Sequence, residues 1–232
     1  MTMYKEIAKK IRQYEIVIFR HKRPDMDALG SQWGLKHLIE QNYKNKKVYV
    51  VGDSSKFDFL GKMNEVSDEM IQNSLAIILD VAVAALISDQ RYILAKERMV
   101  IDHHQNECNL KNTSIYVDTN AAATCEMITQ FAIENHLKIT PESATALYSG
   151  IVTDSGRFLY HVQPKLFQIS AILIQSGANA KWIYNKLYQE TVEEKKMRAY
   201  FTTKFEINDA GVAYLMNDES VFDLFPVDVA KI

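Results

Sequence analysis

Short apolar runs alternate with stretches of helical period along most of the chain. Tyr4 to Tyr14 carries Ile7 and Ile11 four apart, which marks one face of a helix. Glu15 to Arg20 encloses Ile16 to Phe19 and predicts a first buried strand. A second helix follows from Ala28 to Gln41, with Leu29, Trp33 and Leu38 on or near one face. Lys46 to Gly52 predicts a second strand, and Ser74 to Leu79 a third that ends on Asp80. Arg98 to Ile101 predicts a fourth, ending on Asp102-His103-His104, and Ser114 to Val117 a fifth, ending on Asp118. Helices are expected from about Ala121 to His136, from Pro141 towards Asp154, from Lys165 to Gln175 and from Ala180 to Leu187. The segment between Asp53 and Asn73 is polar and irregular. Apolar strands alternating with helices imply an α/β fold, with a mostly parallel sheet and helices on both faces.

The pattern changes after Tyr188. Thr191 to Tyr200 is highly charged and reads as a helical linker. Lys204 to Ile207 and Val212 to Met216 flank Asn208-Asp209-Ala210-Gly211, a hairpin signature. Such a hairpin cannot stand alone as a domain. The expected organisation is residues 1–188 as one domain, 189–203 as linker, and 204–232 as the start of an incomplete second domain.

Composition narrows the class. The chain has 232 residues, 47% hydrophobic and 24% charged, with a formal net charge of -2, so no global basic field points to long nucleic acid. No apolar run approaches a membrane span, and Met1 to Arg12 lacks the apolar core of a secretory signal. Cys108 and Cys125 form neither a C-x-x-C pair nor a framework, which suits the cytoplasm.

The candidate chemistry lies at the strand ends, where ligands collect in open α/β sheets. His21, Asp25 and Asp27 share one strand-to-helix turn, stiffened by Pro24. Asp80, His103 and His104 end later strands, and Asp154 follows the apolar run Gly150 to Val152. So many carboxylates together repel one another, and burial raises the cost. Cations remove it. Four carboxylates and two imidazoles suit two divalent ions, with Mn²⁺ first and Mg²⁺, Co²⁺, Fe²⁺ or Zn²⁺ open. No cysteine joins the set, which argues against structural zinc. Two ions about 3.5–4 Å apart serve phosphoryl displacement, in which a shared water loses a proton and attacks. Arg157 is a candidate fork donor to phosphate, with a structural salt bridge as the alternative reading. His37, His136 and His161 read as structural, and Trp33, Phe57 and Phe59 read as core rather than as base-stacking platforms.

His21-x-x-Pro-Asp25-x-Asp27-Ala-x-Gly-Ser, Asp80, Asp102-His103-His104 and Thr-Asp154-Ser-Gly-Arg-Phe together resemble the DHH phosphoesterase superfamily. Within it the chain is most similar to the branch of nanoRNases and 3′-phosphoadenosine 5′-phosphate phosphatases. Val117-Asp118-Thr119 and Ala123-Thr124-Cys125-Glu126-Met127 share that likeness, which covers Ile7 to Leu187. The resemblance implies that His21 and Asp25 bind one metal, Asp27, His103 and Asp154 the other, and that Asp80 bridges them. His104 would sit beside the substrate phosphate, with Asp102 orienting the histidines; a plain buried strand-end acid is the alternative for Asp102. It further implies hydrolysis of short oligoribonucleotides or small phosphorylated nucleosides through a bridging hydroxide, and a homodimer.

Two departures stand out. Val81-Ala82-Val83 follows Asp80, where the branch usually has Thr-Ala-Asn. The eight glycines include no Gly-Gly-Gly-His run of a C-terminal substrate-binding domain, so an incomplete cleft is expected. Relatives with the same metal motifs leave pyrophosphatase, exopolyphosphatase and cyclic or linear dinucleotide hydrolysis open. A metal- or nucleotide-binding fragment without turnover is the alternative of a different class. A dinucleotide-binding domain ranks last, because no G-x-G-x-x-G follows the first strand.

Overall fold

A computed structural model describes residues 2–55, 57–216 and 224. The chain begins with α1 (Met3–Gln13), β1 (Glu15–Phe19), α2 (Met26–Asn42) and β2 (Val48–Val50). It continues through the short α3 (Asp68–Gln72) into β3 (Ser74–Leu79), β4 (Glu97–Asp102) and β5 (Ser114–Val117). Four helices follow: α4 (Thr124–Glu134), α5 (Pro141–Asp154), α6 (Pro164–Gln175) and α7 (Ala180–Tyr188).

The five strands form one parallel sheet in the order β2-β1-β3-β4-β5. Every residue of β3 is buried, as expected for a strand covered on both faces. One face packs Val17, Phe19, Ala76, Ile78 and Val100 with Ile71, Ile87 and Tyr92. Pairing runs Phe19 with Ile78 and Leu79 with Ile101, so β1, β3 and β4 finish nearly level. The chain winds outwards from β1 to β2, then crosses back to β3. This reversal leaves a crevice at the carboxyl ends of β1 and β3.

The expected α/β architecture is the one that forms. Boundaries shift by a few residues: α4 starts at Thr124, because Ala121 to Ala123 approach it in non-helical conformation. α3 was not apparent from periodicity, since five residues are too few to show a helical face. A capping box between Thr140 and Ser143 opens α5, with Pro141 just inside, where its missing N–H costs nothing.

One compact unit runs to Ile183 and a second begins at Tyr184. In the second, α8 (Val192–Lys204) opens on a Thr191–Glu194 capping box. The expected hairpin then forms from β6 (Glu206–Ile207) and β7 (Ala213–Tyr214), antiparallel. The rest of the expected incomplete domain, residues 217–223 and 225–232, lies outside the described residues. No helix among the described residues is long and apolar enough to cross a membrane.

Candidate metal centre

Residues His21 to Asp25 lead from β1 into α2. His21 Nδ1 lies 2.7 Å from the Lys22 carbonyl. A carbonyl only accepts, so the ring proton sits on Nδ1 and Nε2 is left to face the crevice. Nε2 is 3.7 Å from Asp25 Oδ1 and 3.5 Å from Asp80 Oδ2. Asp25 is the N-cap of α2, its Oδ1 accepting the Ala28 N–H at 3.0 Å. The cap therefore falls on Asp25, and Asp27 in the first turn is free to turn inward.

Asp27 is fully buried. Its Oδ2 accepts the Thr124 N–H at 2.6 Å and its Oδ1 the Cys125 N–H at 2.9 Å. These N–H groups open α4, where no intrahelical acceptor is available and the helix dipole favours an anion. Asp154 ends α5, and its position depends on how closely α2 and α5 approach. A Cβ on Gly150 would lie 2.7 Å from Asp27 Oδ1 and 2.4 Å from Cys125 Sγ. Only glycine permits that contact. His103 Nε2 is then 3.3 Å from Asp154 Oδ2, 3.6 Å from Asp80 Oδ1 and 3.8 Å from Asp27 Oδ2.

Asp80 sits between the two groups. It leaves β3 in a left-handed conformation, φ 60°, a strained choice for a non-glycine residue and common at functional sites. Thr124 Oγ1 donates to its Oδ1 at 3.0 Å. Its Oδ2 and His103 Nε2 are buried without a hydrogen-bond partner among the described residues. Unpaired buried polar atoms are costly, and a ligated cation would satisfy both.

Three sets of ligand atoms each fall within 4.8 Å: His21, Asp25 and Asp80; Asp27, His103 and Asp154; Asp80, His103 and His104. All are imidazole nitrogens or carboxylate oxygens, a donor set that fits divalent ions of borderline hardness. His104 differs from the other histidines. Its Nδ1 is 2.7 Å from Asp102 Oδ1, which also accepts the His104 backbone N–H at 3.2 Å. That bond occupies Nδ1, the nitrogen nearer Asp80, and His104 is 43% exposed.

The electrostatics express the crowding. Burial, then the charges of Asp80 and Asp154, push Asp27 well above the usual carboxylate range. Burial likewise raises Asp154, with Asp25 and Asp80 adding to it against the pull of His103. Burial opposes charge on His21, but Asp25 and Asp80 outweigh it and lift the imidazole to about 10. Burial also opposes charge on His103, yet Asp154, Asp27 and Asp80 bring it to about 9. Asp102 raises His104. Asp25 is lowered: burial works against this, but His21 and the Ala28 N–H prevail.

Seven of the nine candidate residues, His21, Asp25, Asp27, Asp80, His103, His104 and Asp154, contribute to these sets. Asp102 stands behind His104. Arg157 is exposed in the turn after Asp154, at φ 62°, its N–H bonded to the Val152 carbonyl. Reasoning from residues alone did not identify Thr124 as the partner of Asp80, or the backbone of Thr124 and Cys125 as the clamp on Asp27. The small residues Ala121-Ala122-Ala123 ahead of a helix were the available signal.

The model of the DHH family, N-terminal domain, matches residues 15–151. Over its full length the chain is 37% identical to a Streptococcus mutans protein named probable bifunctional oligoribonuclease and PAP phosphatase NrnA, covering 75% of that protein. A Bacillus subtilis bifunctional oligoribonuclease and PAP phosphatase NrnA is 31% identical over 96% of the chain and 73% of its own length. The crystal structure of an exopolyphosphatase-related protein from Bacteroides fragilis shares the fold, with a TM-score of 0.77 at 23% identity, over 88% of this chain and 66% of that one. Matched from β1 into α5, and similar throughout to two NrnA proteins, the chain belongs to the DHH family.

Proposed function

We propose that this chain is a dinuclear-metal phosphoesterase that hydrolyses short oligoribonucleotides and 3′-phosphoadenosine 5′-phosphate. The observation that carries this reading is Asp80. Its two oxygens face two separate ligand sets, with Oδ2 near His21 and Oδ1 near His103. His21, Asp25 and Asp80 would hold one divalent ion, Mn²⁺ as first candidate, and Asp27, His103, Asp154 and Asp80 the other. Such a pair supplies an activated water and neutralises charge on the phosphate oxygens.

The protein's own groups do the rest. The lone pairs on His21 Nε2 and His103 Nε2 are aimed by backbone carbonyls at the opposite ring nitrogens. Asp102 pairs with His104 Nδ1 and raises the imidazole, which would let His104 donate to the leaving-group oxygen through Nε2. Arg157 would bind substrate phosphate. NrnA homology supports the nucleotide substrates. The unpaired Cys108 and Cys125 support a cytoplasmic setting. In the same reading residues 1–188 form the phosphoesterase domain, 189–203 a helical linker, and 204–232 part of a substrate-binding domain.

The test offers the Mn²⁺-loaded chain a short RNA, 3′-phosphoadenosine 5′-phosphate and pyrophosphate in parallel. Release of mononucleotide or phosphate from the first two is expected. Asp80→Ala should lower it by more than about 100-fold, beyond the cost of losing a residue that merely supports a ligand. No release from any of the three by the loaded wild type would overturn the proposal.

A further inference from the structure

Behind His21, outside both ligand sets, lies a second polar cluster. Arg20 is a fully buried cation at the end of β1, a placement that requires pairing. Its Nη1 donates to Asp53 Oδ1 at 2.9 Å and to the His21 carbonyl at 3.0 Å. Its Nη2 donates to the Asp53 carbonyl at 2.5 Å, and its Nε to Gln32 Oε1 at 3.2 Å. Asp53 has further partners. Its Oδ2 accepts the Arg23 N–H at 3.1 Å, and its Oδ1 accepts the Ser88 hydroxyl. Ser88 closes the loop, its N–H donating to the Arg20 carbonyl at 2.9 Å and its Oγ accepting the Asp53 N–H at 2.8 Å.

These bonds hold both sides of His21. Arg20 grips its carbonyl, and Asp53 grips the N–H of Arg23, which holds a left-handed φ of 50° two residues before Asp25. Gly52 is part of the arrangement. Its φ is 139°, and a Cβ there would lie 2.9 Å from Arg20 Cζ. The strain at Arg23 persists only if the surroundings enforce it, and Asp53 supplies the restraint.

We propose that Arg20, Asp53 and Ser88 are positioning residues for the His21–Asp25–Asp80 pocket alone. They set the turn that aims His21 Nε2 and Asp25 at a cation, and among the described residues none of them hydrogen-bonds a member of the Asp27–His103–Asp154 pocket, whose carboxylate is clamped by α4. This rests on the reading that both pockets hold divalent ions. A partner that orients a ligand is worth about 10–100-fold in metal affinity.

The experiment titrates Mn²⁺ into the metal-free full chain by calorimetry, for the wild type and Asp53→Asn. Asp154→Asn alone and with Asp53→Asn identifies the pocket affected. Expected are two ions in the wild type, with one site weakened about 10-fold or more by Asp53→Asn and the other unchanged. Asp154→Asn should retain one tight site, which the double variant loses. Ser88→Ala removes both side-chain bonds to Asp53 and leaves the buried Arg20 paired. It keeps the test decisive if Asp53→Asn fails to fold, and should weaken the same single site. Equal weakening of both sites, or wild-type binding by a folded variant, would overturn the inference while leaving the metal reading intact. A wild-type chain that binds no Mn²⁺ would instead overturn the metal reading, and this inference with it.

Discussion

The two pockets that share Asp80 are held in different ways. The His21–Asp25 pocket lies on a turn, fixed by side chains from Arg20, Asp53 and Ser88. The Asp27–His103–Asp154 pocket lies where helices meet, and its buried carboxylate is fixed by backbone N–H groups of Thr124 and Cys125. Side-chain supports can be removed one at a time. Backbone supports cannot, and they are disturbed only by moving the helices. The first pocket should therefore tune by substitution, and the second by packing.

The largest effect should come from moving α5 against α2. In Gly150→Ala the new Cβ meets the Asp27 backbone, with Cα at 2.9 Å, as well as two side chains. Overpacking of this kind costs about 1–3 kcal/mol. A lower melting temperature is expected, with selective loss of the Mn²⁺ site at Asp27; equal loss of both sites would break the comparison.

Thr124→Val is the next step down. It removes the hydroxyl that holds Asp80 Oδ1 and leaves α4 able to clamp Asp27. Because Asp80 serves both pockets, both affinities should fall by about 10-fold. Calorimetry would show whether they fall together.

The pH dependence should separate the pockets more gently. Both histidines must lose a proton to bind a cation, so both affinities rise with pH. The second pocket also holds Asp27 and Asp154, both raised, whereas Asp25 in the first is lowered. Filling the second pocket should thus release more protons, and its ion should be the first lost on acidification. Calorimetry in buffers of different ionisation enthalpy measures that release.

The smallest effect concerns stability. Burial tends to raise Asp53, but Ser88, Arg20 and the Arg23 N–H prevail and hold it at about 2, below its ordinary 3.8. A lowered folded-state pKa gives stability that is present above about pH 4 and is lost as pH falls towards 2. The Asp53 side chain is 42% exposed, so solvent screening reduces this to about 1 kcal/mol. Denaturant melts of wild type and Asp53→Asn should converge over that window.

Much of this architecture was legible in the residues. β3 is buried on both faces and β4 nearly so, and such strands read as continuous apolar runs. Asp80 and His103 directly follow those runs, which put them on one edge of the sheet. The supports were not legible. Thr124 and Asp80 are 44 residues apart, and Thr124 and Asp27 are 97 apart. No local period encodes such pairs. Arg20 reads as the polar end of a strand, yet it is fully buried, because Asp53 and Gln32 arrive from elsewhere in the chain to pair with it.

The parallel α/β layering and the family's ordered acids and histidines follow from the residues read locally, because burial period and motif order are local properties of the chain. Tertiary structure decided which oxygen of Asp80 faces which pocket, that α4 clamps Asp27 through its backbone, and that Arg20 and Asp53 brace the turn. Those outcomes depend on distances between segments remote in sequence, set by the approach of α2 to α5 and the level ending of β1, β3 and β4. Close packing fixes such distances only once the whole sheet and its helices have assembled.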